Sequence, residues 1–250
     1  MKLLIIGATG DTGSRLLRMA IQEDHEVTAF VRSADKLNEQ LTAASLTAPA
    51  VIIGDVFDQD SISSACHGQD VVINAAGTVR DGEQFVELVR KVSLAVENGL
   101  GAGGRYWFFG GIGVLNVPGT NRMSLELPKI PSIYRAHQTN YSTVSSTSLN
   151  WSMLCPGPMT AAENGEPHQG LRISTEVWPL ARPGLTKLLP PIATSLALKL
   201  RMPQLTVSFE DAAKVILDNL AQDSALSRKR VGIALPVGIT RHKDPELNPS

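Results

Sequence analysis

The feature that most constrains this chain stands at its beginning. The apolar run Leu3-Leu4-Ile5-Ile6 stops at Gly7-Ala8-Thr9-Gly10-Asp11-Thr12-Gly13, and an amphipathic stretch over 14–23 follows at once. A glycine triplet anywhere else would say little. Between a strand and a helix each glycine serves a distinct purpose. One permits the tight bend, one lets the backbone approach a pyrophosphate, and one lets helix and strand pack closely. The helix start then offers unpaired N–H groups and a partial positive charge to an anion. Residues Gly7 to Gly13 therefore predict a dinucleotide-binding turn. An acid about 20 residues past the glycines, at the end of the second strand, would hydrogen-bond the ribose 2′-OH of NAD. Here that strand runs into Arg32-Ser33, and a guanidinium pairs bidentately with a 2′-phosphate. The reading is NADP(H), with NAD(H) less favoured; Arg15 either assists or simply faces solvent.

The rest of the chain repeats this rhythm. Short Val/Ile-rich runs at 3–6, 27–31, 51–53, 71–73, 106–109 and 151–154 predict buried parallel strands, because continuous apolarity suits a strand covered on both faces. Helical patterns at 14–23, 61–66, 83–98 and 133–146 lie between them, and 231–235 reads as one more strand. The fold class is α/β: a single Rossmann-type, doubly wound, mainly parallel sheet of about seven strands over 1–250. Prolines and glycines crowd 114–131 and 160–206, including Arg182-Pro183-Gly184, but leucines and Trp178 among them favour an ordered substrate cap over a linker. Trp178 is a candidate for lining that pocket. Ser208-Phe209-Glu210-Asp211 has the form of a capping box opening a helix over 211–220. The polar stretch 240–250 reads as a flexible tail.

Composition excludes several classes. With 23 basic and 24 acidic residues the net charge is −1, which lacks the basic excess of a nucleic-acid binder. No run approaches the roughly 20 apolar residues of a membrane span, and the first residues are too short and too early broken by Gly7 for a signal peptide. The expected location is cytoplasmic, with a small-molecule acceptor as partner, no nucleic acid and no membrane; a homodimer is compatible with the sequence. Cys66 and Cys155 form no CxxC pair, and the histidines show no ligand spacing, so no metal is expected. There is no G-x-S-x-G elbow. Asp55 and Asp58 form a carboxylate pair on paper only.

The chain resembles the atypical short-chain dehydrogenase/reductase group, and within it the NmrA-like and flavin reductase (biliverdin reductase B)-like branch. The resemblance is carried by Gly7-Ala8-Thr9-Gly10-Asp11-Thr12-Gly13, Val31-Arg32, Gly54-Asp55-Val56, and Ser148-Leu149-Asn150-Trp151 leading to Cys155-Pro156-Gly157-Pro158-Met159. Val207-Ser208-Phe209-Glu210-Asp211-Ala212-Ala213 adds to it, and the match is weakest between 161 and 205. It implies that Asp55 and Val56 lie beside an adenine. It places Asn74, Ala75, Ala76 and Gly77 under the cofactor, and Gly110, Gly111 and Pro156, Gly157, Pro158, Met159 around the nicotinamide.

One departure from that group matters. Its well-characterised members use a tyrosine with a lysine four residues on. Here Tyr106 is followed by Gly110, Tyr134 by Gln138 and Tyr141 by Ser145, and the usual serine position is Gly110-Gly111. Ketone chemistry by that mechanism is therefore disfavoured. Hydride transfer needs mainly a positioned cofactor and acceptor, and an acceptor that delocalises charge, such as a flavin or quinone, can take its proton from solvent. His137 is the foremost polar candidate, as a hydrogen-bond donor or proton relay. Tyr134 and Tyr141, three before and four after it, are candidates on the same helix face. The expectation is an NADPH-dependent reductase of a small conjugated or aromatic acceptor. The alternative is a non-catalytic NADP(H)-binding redox sensor of NmrA type.

Overall fold

The computed structural model describes residues 1–180 and 190–242. Its first strand shows why the apolar runs are unbroken. In β1 (Lys2–Ile6) Leu4 and Ile6 face one hydrophobic layer and Leu3 and Ile5 face another, all four being fully buried. A strand with side chains alternating between two covered faces must be apolar at every position.

The chain then winds through α1 (Asp11–Gln22), β2 (Glu26–Val31), α2 (Ala34–Ala44), β3 (Ala50–Ile53), α3 (Gln59–Cys66), β4 (Val71–Asn74), α4 (Glu83–Leu100), β5 (Arg105–Phe109), α5 (Arg135–Ser145) and β6 (Asn150–Cys155). It continues with β7 (Met159–Thr160), β8 (Arg172–Thr175), α6 (Pro191–Leu205), β9 (Val207–Ser208), α7 (Phe209–Leu217) and β10 (Lys229–Ala234). Eight strands form one sheet in the order β3-β2-β1-β4-β5-β6-β10-β8, parallel throughout except for the β10–β8 pair; β7 and β9 form a separate parallel pair. One face is covered by α3, α4 and α5, the other by α1, α2 and α7. This is the doubly wound α/β fold, and its strand order reverses between β1 and β4, the place where such sheets bind ligands.

Three expectations are revised. The run at 51–53 is an edge strand bonded only to β2, with Val51 38% and Ile53 64% exposed; an apolar run does not distinguish an interior strand from an edge. The sheet has eight strands rather than about seven, because Arg172–Thr175, placed by sequence in the cap, closes its far edge. Trp178 is 5% exposed and lies in the core, its indole N–H donating to Ser124 Oγ, and it is not among the residues that line the cleft at the carboxyl edge of the sheet. Around it Val114, Leu115, Val117, Leu125 and Leu127 are buried too, which makes 114–131 part of the hydrophobic layer. The Arg182-Pro183-Gly184 turn and positions 243–250 of the expected tail lie outside the described residues.

At the other end of the sheet, Arg105 on β5 is fully buried. It donates to the carbonyls of Asn150 and Asn219 and to Ser152 Oγ at 2.8–3.0 Å, with its guanidinium 4.9 Å from the Trp107 ring. Desolvation pushes its pKa down to about 10. It knits β5, β6 and the segment after α7 together without a carboxylate. Replacing it removes three hydrogen bonds and leaves a cavity, so Arg105→Ala is expected to lower unfolding stability in urea by about 2–5 kcal/mol.

Candidate functional site

Gly7 follows β1 with φ +80°, a left-handed conformation that a side chain rarely adopts. A Cβ on Gly7 would stand 2.7 Å from the backbone nitrogen of Ala76, and one on Gly13 would stand 2.0 Å from the carbonyl oxygen of Gly7. The turn after β1 is thus pressed between the first turn of α1 and the loop after β4. Gly10 caps α1 with its amide bonded to the Gly7 carbonyl at 3.0 Å and no side chain capping the helix. The first amides of α1 remain available, a geometry suited to a phosphate.

The loop after β4 is fixed by a buried pair. Asn74 Oδ1 accepts from the Ala76 amide at 3.0 Å, and Asn74 Nδ2 donates to the Tyr106 hydroxyl at 3.3 Å. Gly77 then turns with φ +88°, and a Cβ there would strike the Phe85 ring. Both loops border a cleft of about 790 Å³ at the carboxyl edge of the sheet, within the usual range for small-molecule sites.

Among the expected residues, Gly7, Thr9, Gly10, Asp11, Thr12, Arg32, Asp55, Val56, Ala75, Ala76, Gly77 and Met159 line this cleft together. Ala8 and Gly13 lie behind it and shape the turn. Asp55 accepts the Phe57 amide at 2.9 Å, whereas Asp58 caps α3 through the amides of Asp60 and Ser61, so the two acids are not a catalytic pair. Arg15 is bound to Glu210 at 3.2 Å on another face of α1, which removes it from the nucleotide question. Lys36, Gln84 and Phe209 line the cleft without having been singled out by sequence. A signal existed for Lys36, a cation one turn beyond Ser33, which caps α2 by accepting the Asp35 amide.

The remaining candidates stand beside the cleft. Gly110 donates its amide to the Leu154 carbonyl at 2.7 Å and Ile112 donates to the Pro156 carbonyl at 2.8 Å, tying the loops after β5 and β6 together. Gly157 packs on Leu205, and the Pro158 carbonyl accepts from Val207 at 3.1 Å. His137, on α5, is half-buried with its ring over Gly111, whose Cβ would stand 3.1 Å away, and edge-on to Phe85 at 5.6 Å. Burial lowers its pKa to about 4, so the imidazole is neutral at physiological pH.

The two tyrosines do not join it. Tyr134 is 41% exposed in the turn before α5. Tyr141 packs edge-on to Trp151 under the Arg230 guanidinium, 4.8 Å from its ring. The cysteines are buried, and desolvation raises both thiols, Cys66 to about 12, which leaves them inert. Among the described residues no group of His, Cys, Asp or Glu is placed to hold a metal, and no helix is long and apolar enough to cross a membrane.

An uncapped helix start, a cradle that side chains would fill and two cations, Arg32 after β2 and Lys36 in the first turn of α2, without partners among the described residues, all fit a dinucleotide. Comparison with known proteins agrees. A family model described as NAD(P)H-binding matches residues 7–177, and the chain belongs to that family. A Bacillus subtilis protein of uncharacterised function, YwnB, is 30% identical over 163 residues, covering 62% of this chain and 71% of that one. Plant reductases among the relatives are matched over only about 30% of their length. A short-chain dehydrogenase/reductase from Veillonella parvula in complex with NADP superposes with TM-score 0.68 at 15% identity, over 98% of both chains. ChuY, an anaerobillin reductase from Escherichia coli O157:H7, superposes with TM-score 0.61 at 18% identity, over the full length of both chains. The family is that of NAD(P)H-binding proteins, and the fold is the Rossmann-type one that the sequence resemblance implies.

Two outcomes check this geometry. Gly13→Ala displaces the Gly7 carbonyl and is expected to weaken dinucleotide binding by at least roughly tenfold in calorimetric titration. His137 has a folded pKa below its unfolded value near 6.5. Its neutral form therefore contributes stability that is present above about pH 6.5 and is lost as pH falls towards about 4. Denaturation midpoints measured across that window should flatten in His137→Phe.

Proposed function

We propose that this chain is an NADP(H)-dependent reductase that passes hydride to a small conjugated or aromatic acceptor such as a flavin or quinone. One observation carries the choice of cofactor. Arg32 and Lys36 line the cleft where β2 gives way to α2, and neither has a hydrogen-bond or ion-pair partner among the described residues. Two unneutralised cations at the end of the second strand suit a 2′-phosphate far better than a 2′-hydroxyl.

The chain's own groups divide the work. The amides at the start of α1 and the Gly7 to Gly13 turn hold the pyrophosphate, and Asp55 and Val56 border the adenine. The Asn74-anchored loop lets backbone pass close beneath. When bound, the dinucleotide supplies the hydride. His137, neutral and set over Gly111, would donate a hydrogen bond to the nicotinamide carboxamide or to the acceptor, or relay a proton. No tyrosine with a lysine four residues on is present to protonate an alkoxide, which favours acceptors whose reduced form spreads its charge. The reductases among the relatives support this class of chemistry.

The test is NADPH oxidation by the purified protein against flavins, quinones, conjugated ketones and simple aldehydes, with NADH in parallel. Turnover on flavin or quinone with NADPH preferred is the expected result. Tight dinucleotide binding with no turnover on the whole panel would replace the reductase with the redox-sensor reading. Arg32→Ala combined with Lys36→Ala should raise the Kd for NADPH roughly 10- to 100-fold, the value of one or two charge-assisted hydrogen bonds, while leaving that for NADH nearly unchanged.

A further inference from the structure

A second cleft, of about 470 Å³, lies between α1 and α2 and shares no lining residue with the first. The two helices form two of its walls, and the segment 161–165 after β7 contributes the third. That segment is held in place from both sides. The Glu210 carboxylate accepts the Ala162 amide at 2.9 Å, and Arg18 donates to the Gly165 carbonyl at 2.6 Å. The volume falls within the range of small-molecule sites.

Its lining has two characters. Leu17, Leu41 and Leu46, with alanines of α2 and of 161–162, supply apolar surface, and the charged groups are Arg15, Arg18 and Glu210. Arg15 is neutralised by one Glu210 oxygen at 3.2 Å, and the other oxygen is taken by the Ala162 amide. Arg18 is half-buried and has no carboxylate partner among the described residues; the Gly165 carbonyl occupies only one of its N–H donors. Two cations against one acid leave the wall with an uncompensated positive charge. In a partly buried setting an opposite charge there is worth more than on open surface. Apolar surface beside one free guanidinium fits a molecule with one carboxylate and an apolar body. A sugar phosphate would leave the leucines uncovered, and a hydrocarbon would leave the cation unmet.

We propose that this cleft is a second ligand site, for an amphipathic monocarboxylate whose carboxylate pairs with Arg18 and whose apolar part lies on Leu17, Leu41 and Leu46. The site is independent of the reductase reading, and its test needs no turnover. Octanoate is the probe, titrated into the full chain by calorimetry. Saturable binding is expected. Octanamide keeps the chain and lacks the charge, and should bind roughly tenfold more weakly or worse. Acetate keeps only the charge and should not bind. The methyl NMR signals of Leu17, Leu41 and Leu46 should shift along the octanoate saturation curve.

Variants separate the parts of the site. Arg18→Gln should weaken octanoate roughly tenfold or more and leave octanamide unchanged. Ala44→Trp, which fills the apolar side and keeps the cation, should weaken both. Arg32→Ala combined with Lys36→Ala removes the cations of the first cleft, the other place open to a carboxylate, and should bind octanoate as the wild type does. Loss of octanoate binding in that double variant would put the anion in the first cleft and overturn the proposal. Equal binding of octanoate and octanamide, or no saturable binding of octanoate, would overturn it as well.

Discussion

The site depends on a contact that admits no side chain. The Gly7 carbonyl lies so close to Gly13 that a Cβ there would be 2.0 Å away, and Gly7 itself is pressed against Ala76. Three segments distant in sequence meet at that point: the end of β1, the start of α1 and the loop after β4. Their meeting leaves the first amides of α1 unspent and aimed into the cleft. Any widening of the contact by a methyl group would move the helix start, its free amides and the loop after β4 together.

That contact is held by what surrounds it. Leu3, Leu4, Ile5 and Ile6 are sealed on both faces of the sheet, so β1 cannot shift without opening two hydrophobic layers. The loop after β4 is clamped by Asn74 between the Ala76 amide and the Tyr106 hydroxyl. The loops after β5 and β6 are tied by the Gly110–Leu154 and Ile112–Pro156 hydrogen bonds. This side of the cleft is thus set by backbone and packing, while two exposed cations, Arg32 and Lys36, without partners among the described residues, supply its positive charge. Rigidity and positive charge reside in different residues, so the charge is open to change by substitution without disturbing the frame.

Beside the cleft the packing around His137 follows a different principle. His137 is neutral because burial penalises its charge, and its ring is fixed by Phe85 and by the absence of a side chain on Gly111. The tyrosines that flank it in sequence diverge in space. Tyr134 falls in a turn before the helix begins, and Tyr141 turns to Trp151 and Arg230. A spacing of three is a shared face only if the helix extends over it, and here the helix begins at Arg135, after Tyr134; Tyr141 lies within the helix but is claimed by Trp151 and Arg230.

The sequence alone determined the parts whose chemistry is local. The glycine turn, the strand–helix rhythm, the Ser208 capping box and the cation after β2 each follow from neighbouring residues and their periodicity. It did not reveal α2, whose only buried residues are Leu37 and Leu41, nor β8, whose run is polar at a sheet edge, because neither carries a continuous apolar signal. Burial of Trp178, exposure of Val51 and Ile53 and the Arg15–Glu210 pair were decided by the tertiary structure. Each depends on which distant surface packs against a residue, and periodicity along one chain holds no record of that.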